Sequence, residues 1–123
     1  MAVTGADETK DMLRKDLYVI FTRPVAPREE ILKLLPKHLE MQLDLEKRGV
    51  LFAAGPMEPQ DESKPRTGMI IVRASSFEEA DAIAKADPFH AAGLREYELW
   101  NWSMNEGSFT VTINYSNQSA AVV

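Results

Sequence analysis

The sequence holds two imidazoles, His38 and His90, the side-chain type best suited to moving a proton near neutral pH. His38 is the one that breaks its own pattern. At about 100° per residue, Ile31, Leu34, Leu35 and Leu45 share one helical stripe, and His38 falls in the middle of it with Gln42 one turn further on. A packed helix wants apolar side chains there. An inward imidazole must find a polar partner or lose roughly 1–3 kcal/mol. It therefore reads either as a general acid–base or as a core histidine bonded to a backbone carbonyl. Gln42 either satisfies it or binds a ligand. Asp87 precedes a proline, Pro88, which suits a helix N-cap with proline in the first helical position. A carboxylate has two oxygens and several acceptor sites, so a cap can hold a second donor. Phe89 is expected in the core and His90 at the surface beside that turn. Gly55-Pro56 marks a turn where the backbone leaves a sheet. Asp61, Glu62, Lys64 and Arg66 sit on a charged loop that is either solvated or rims a pocket.

The totals narrow the chemistry. The 123 residues suffice for one core, and 45% hydrophobic with 27% charged content is an ordinary globular balance. A formal net charge of -5 argues against a nucleic-acid or anionic-membrane surface. Without cysteine there is no thiolate nucleophile, thiolate metal site or disulfide frame, and two histidines cannot make a three-histidine site within one chain. No G-x-S-x-G elbow or phosphate-binding glycine loop occurs. No apolar run approaches a membrane span and the first residues lack a signal peptide's apolar segment, so the expected location is the cytoplasm.

The elements that must position these residues follow from periodicity. Residues 1–16 read as a flexible lead. Leu17–Thr22 is a β-rich run closed by Arg23-Pro24. A helix starts near Pro27 or Arg28, is expected to kink or restart at Pro36, and stops at Gly49. Val50–Ala54 is a second strand, Pro56–Thr67 a loop, and Gly68–Arg73 a third strand. Ser75 or Ser76 with Glu78 and Glu79 opens a second helix to about Ala86. Arg95–Trp102 alternates as a fourth strand, Tyr97 and Leu99 on one face and Trp100 and Trp102 on the other. After a turn at Asn105-Glu106-Gly107, Phe109–Tyr115 alternates as an extra C-terminal strand before a frayed tail.

Strand, helix, strand, strand, helix, strand is the split-βαβ, ferredoxin-like order, an α+β sandwich with the extra strand appended. Two helices cover one face of such a sheet. Yet Leu17, Val19 and Phe21 oppose Tyr18 and Ile20, and Met69 and Ile71 oppose Ile70 and Val72, so both faces are apolar. A second copy of the chain, sheet against sheet, is the economical cover, and a homodimer is expected.

Several segments resemble the YciI-like (YCII-related) proteins of the dimeric α+β barrel superfamily. They are His38 upstream of Gly49, the strand ending Ala54-Gly55-Pro56, Gly68 opening the next strand, Ser75-Ser76-Phe77-Glu78-Glu79-Ala80, and Asp87-Pro88-Phe89 with Ala92-Gly93-Leu94. The resemblance spans residues 17–102, leaving 1–16 as lead and 103–123 as extension. It implies a dimeric barrel and a site built on a histidine–aspartate pair, His38 and Asp87 here. Gln42, Gly55, Pro56 and Phe89 are then candidates to contact a small organic substrate. The implied activity is proton transfer of the lyase, isomerase or dehydrohalogenase kind, with no metal or organic cofactor called for. A non-catalytic dimeric module that binds a small ligand or docks on a partner, and haem binding or cofactor-free oxygenation, are the other classes left open.

Overall fold

A computed structural model describes residues 8–122, and these fall into two compact units: residues 16–103, and the described residues before 16 together with those after 103. The first unit holds four strands and three helices, β1 (Lys15–Pro24), α1 (Arg28–Lys47), β2 (Leu51–Met57), β3 (Thr67–Val72), α2 (Phe77–Ala86), α3 (Pro88–Ala91) and β4 (Arg95–Met104). The strands lie in the order β2-β3-β1-β4, the ferredoxin-like arrangement. β3 runs antiparallel to both β1 and β2.

Register decides which residues meet. Tyr18 faces Val72, Ile20 faces Ile70 and Thr22 faces Gly68, all on one side of the sheet, while Val19–Ile71 and Phe21–Met69 point to the other. Ile20, Ile70 and Val72 pack with Ala80 and Ala84 of α2 as the buried core, flanked by Tyr97 and Leu99. The alanines let α2 approach the sheet closely. Ser76 caps α2 by accepting from the Glu79 amide at 3.1 Å, and the Glu79 carboxylate reaches back to Ser75, so the capping-box reading holds with a one-residue offset.

At Pro36, of the kink or restart expected, the restart does not occur: α1 is one helix of 20 residues. Pro36 is exposed, so the carbonyl it leaves unbonded one turn earlier can be solvated. α1 ends in a Schellman motif: Val50 N–H reaches the Leu45 carbonyl at 2.9 Å and Gly49 N–H the Glu46 carbonyl at 3.0 Å. That geometry needs a left-handed residue, and Gly49 sits at φ 76°.

The Gly55-Pro56 turn is also corrected. β2 continues through both residues, Gly55 opposite Met69 and Pro56 opposite Gly68. Because β2 is an edge strand, a proline without an N–H is tolerated. The loop begins only after Met57.

Of the expected flexible lead, residues 1–7 lie outside the described residues, 8–11 form turns, and Lys15 and Asp16 already belong to β1. In the second unit, β5 (Val111–Asn114) pairs antiparallel with β6 (Ser119–Val122), Val111 opposite Val122. The tail expected to fray is thus the second arm of a hairpin. Its turn is fixed by Asn117, whose Oδ1 accepts from the Ser119 amide at 3.1 Å and hydroxyl at 2.7 Å.

Candidate active site

α1 crosses the helix-covered side of the sheet with Leu45 and Gln42 buried and His38 one turn before Gln42, half-buried. α3 starts beside it. Asp87 is only 2% exposed and does two things at once. Its Oδ1 accepts from the Phe89 amide at 2.9 Å, capping α3. Its Oδ2 accepts from His38 Nδ1 at 2.7 Å and from Gln42 Nε2 at 3.4 Å. Donation from Nδ1 to a carboxylate leaves the lone pair of the neutral imidazole on Nε2. None of the described residues bonds that nitrogen. The ring is held flat by Phe89, stacked at 4.4 Å between centroids with 19° between planes.

His38, Gln42, Asp87 and Phe89 line one cleft of about 1070 Å³, and Gly55 and Pro56 line it from β2. All six candidates are therefore brought together. Most of the remaining wall is apolar, and Leu32, Leu39 and Leu43 of α1, each 46–64% exposed, turn toward it. An apolar wall with a few convergent polar groups is how small-molecule sites are built. Of the charged loop, Arg66 alone reaches the cleft, and it is paired with Glu58 at 2.5 Å. The Oε1 of Gln42 is buried with no hydrogen-bond partner. Turning the amide over would set Oε1 against the Asp87 carboxylate, so the carboxylate itself fixes the less satisfied orientation. Among the described residues, no three imidazole or carboxylate groups gather to hold a metal ion, and no helix is long and apolar enough to cross a membrane.

A second polar chain was missed by the sequence reading. His90, expected at the surface, is half-buried with both nitrogens engaged: Nδ1 donates to the Ala84 carbonyl at 2.7 Å, and Nε2 lies 2.8 Å from Thr22 Oγ1. A carbonyl only accepts, so Nε2 of the neutral ring accepts and the Thr22 hydroxyl donates. Thr22 Oγ1 in turn accepts from Arg95 Nε at 3.0 Å, and the Thr22 carbonyl accepts from Arg95 Nη2 at 2.9 Å. Thr22, His90 and Arg95 all line the same cleft. The available signal was strand parity: Thr22 shares a face with Tyr18 and Ile20, and Arg95 with Tyr97 and Leu99, so each is a polar residue on an inward stripe.

Burial pushes His90 below its ordinary value of 6.5; the Ala84 carbonyl and Asp87 oppose this, while Arg95 and His38 add to it. The sign for stability follows. The unfolded chain takes up this proton more readily than the folded one, so His90 favours folding above about pH 6.5, and that contribution is lost as pH falls through the depressed folded value. Melting temperature is expected to fall between pH 7 and pH 5, and less steeply in His90→Gln. Parallel profiles for the two proteins would show that His90 does not carry the effect. Burial likewise pushes the Arg95 guanidinium down from its ordinary value, opposed by the Asp87 carboxylate.

The YCII-related domain family matches residues 16–103. Protein YciI of Escherichia coli O6:H1 is 39% identical over 87 residues, covering 66% of this chain and 89% of that protein. Protein YciI of Shigella flexneri matches to the same extent. Among solved structures, the 5-chloro-2-hydroxyhydroquinone dehydrochlorinase TftG of Burkholderia phenoliruptrix AC1100, in complex with 2,5-dihydroxybenzoquinone, is similar with a TM-score of 0.57. It is 20% identical and the match covers 71% of this chain and 93% of that one, a likeness of fold.

Proposed function

From the premise that this chain belongs to the YCII-related family of the dimeric α+β barrel superfamily, we propose that it is a small-molecule enzyme that moves a proton with His38 and Asp87. The observation that carries the reading is the 2.7 Å contact from His38 Nδ1 to Asp87 Oδ2, with Nε2 unbonded at an apolar cleft. Nε2 takes a proton from an acidic C–H or O–H of the substrate. The electron pair left behind expels a leaving group or moves to an adjacent position, as in elimination or isomerisation. The imidazolium so formed is stabilised by the Asp87 carboxylate, which also keeps the ring in its productive tautomer. Phe89 holds the ring plane, and Gln42 holds the carboxylate from its other side. The reading calls for no cofactor.

The substrate proposed is a small conjugated ring. The cleft is broad and apolar, and a neighbour of the same fold is a dehydrochlorinase of a hydroxylated ring. We place the enzyme in the cytoplasm as a homodimer, with residues 17–102 as the working domain and 1–16 and 103–123 as appendages. The test is turnover of 5-chloro-2-hydroxyhydroquinone, followed by chloride release. His38→Gln is expected to lower the rate about 10²–10⁴-fold with little change in melting temperature. A His38→Gln protein as fast as the parent, or a parent that releases no chloride above background, would overturn this assignment of the reaction.

A further inference from the structure

Arg95 stands out among the charged groups of the cleft. Arg66 is neutralised by Glu58 at 2.5 Å, and Arg28 is exposed at the first turn of α1. Arg95 is half-buried, and its hydrogen bonds among the described residues are the two to Thr22, from Nε to the hydroxyl and from Nη2 to the carbonyl. Neither acceptor carries charge. Among the described residues, its Nη1 has no hydrogen-bond partner and no carboxylate lies within ion-pair distance of it. A half-desolvated guanidinium held in place by neutral acceptors on one side, with free donors on the other, presents a fixed positive field to a cavity.

The surroundings keep it that way. Thr22 Oγ1 cannot turn its proton toward Arg95, because it donates that proton to His90 Nε2. His90 carries no competing charge while its Nε2 accepts the Thr22 proton. Gly68, directly across from Thr22 in the ladder, leaves the room that both side chains occupy: a Cβ there would sit 3.1 Å from Thr22 Cγ2 and 3.8 Å from Arg95 Nη2. Three elements thus converge to seat one cation in a mostly apolar wall that also holds the Asp87 carboxylate.

We propose that Arg95, seated on Thr22, is the anion-holding residue of this cleft, and that its ligands are small conjugated rings carrying an ionised oxygen, a phenolate, enolate or vinylogous carboxylate. This rests on the reading that the cleft is the active site, and it adds what that reading lacks, a group to orient the ring and to receive charge. Removal of a proton by His38 Nε2 leaves an electron pair that delocalises onto a ring oxygen. An oxygen near a guanidinium gains charge-assisted hydrogen bonds as its charge grows, so the same residue that selects an anionic ligand favours the charge that develops on it. Arginine rather than lysine suits the place, because its planar fork can bond Thr22 with two donors and still offer others.

The probes are 2,5-dihydroxybenzoquinone, whose hydroxyls are vinylogous carboxylic acids and ionised at neutral pH, and its neutral 2,5-dimethoxy diether. Binding to the full chain is measured by calorimetric titration at two salt concentrations. The parent is expected to bind the dianion at least ten-fold more tightly than the diether, the gap narrowing at high salt. Arg95→Gln is expected to weaken the dianion about 10–100-fold and leave the diether unchanged, while Arg95→Lys restores part of the loss. If Arg95→Gln melts too low to titrate, the lysine variant and the parent's diether comparison decide. Equal affinity of the parent for the two probes, undiminished dianion binding by Arg95→Gln, or no binding of the dianion by the parent would overturn the proposal. His38→Gln separates it from the catalytic reading: that variant is expected to bind the dianion as the parent does while losing turnover. Loss of anion binding on changing Arg95 with turnover intact in His38→Gln would sink the proton-transfer reading and spare the anion site.

Discussion

Asp87→Ala is expected to be the most damaging single substitution in the domain, lowering stability by on the order of 3 kcal/mol. The carboxylate is 2% exposed and has three donors on it. Truncation removes the cap of α3, an effect of about 1 kcal/mol alone. It also leaves the His38 Nδ1–H and the Gln42 amide facing an apolar hole, each with a desolvation cost. Against a typical domain stability of about 5–15 kcal/mol, urea denaturation should show a clear fall in midpoint. A midpoint within experimental error of the parent would mean that water replaces all three bonds and that the aspartate is not structural.

Asp87→Asn separates the structural role from the chemical one. The amide keeps an acceptor for the Phe89 N–H, so α3 stays capped. The face toward His38 changes from acceptor to donor. His38 must then accept at Nδ1 and carry its proton on Nε2, the nitrogen exposed to the cleft. Gln42 can adapt: turned over, its Oε1, now without a partner, would accept from the new amide. Asp87→Asn is therefore expected to fold within about 1–2 kcal/mol of the parent and to lose most activity, on the order of 10²–10⁴-fold. The ring-nitrogen shifts of His38 in ¹⁵N NMR report the tautomer without any substrate. A proton still on Nδ1 in the asparagine variant would contradict the arrangement.

How much of this was legible beforehand depends on the range of the signal. The helical stripe of α1 and the misplaced His38 could be read because a 3.6-residue period lies within one segment. The Asp87 cap could be read because Asp-Pro is a local motif. The Thr22–Arg95 bond joins residues 73 apart in sequence, and it exists only because β1 lies beside β4 in the sheet. Parity says that both side chains point inward but not that they are neighbours. Pro56 misled because a proline stops a central strand and not an edge strand, and edge position is a property of the whole sheet. Ser119–Val122 misled for the opposite reason: Ser-Ala-Ala-Val has little strand preference of its own, and pairing with β5 supplies it.

Trp100→Glu is expected to turn the proposed homodimer into a monomer. Trp100 lies on β4 in alternation with Tyr97 and Leu99, hence on the sheet face away from the helices, and is 59% exposed. Val19, Phe21 and Met69 share that face and are only half-buried. An exposed tryptophan among partly covered apolar side chains has the chemistry of an interface anchor. A glutamate there would have to be buried without a partner, so self-association should weaken at least ~100-fold, a loss of about 3 kcal/mol. The helical circular-dichroism signal should be unchanged, because the helices pack on the other face. Deleting the residues after Asn105 is the companion experiment. The β5–β6 hairpin carries Val111, Ile113 and Val122, 47–74% exposed, and a two-stranded hairpin alone is marginal in water. If it extends the dimer contact, the truncated chain should dissociate more readily in sedimentation, though less completely than Trp100→Glu. A parent protein that sediments as a monomer at micromolar concentration would end the dimer proposal. A Trp100→Glu protein that dimerises as tightly as the parent would move the interface off this face.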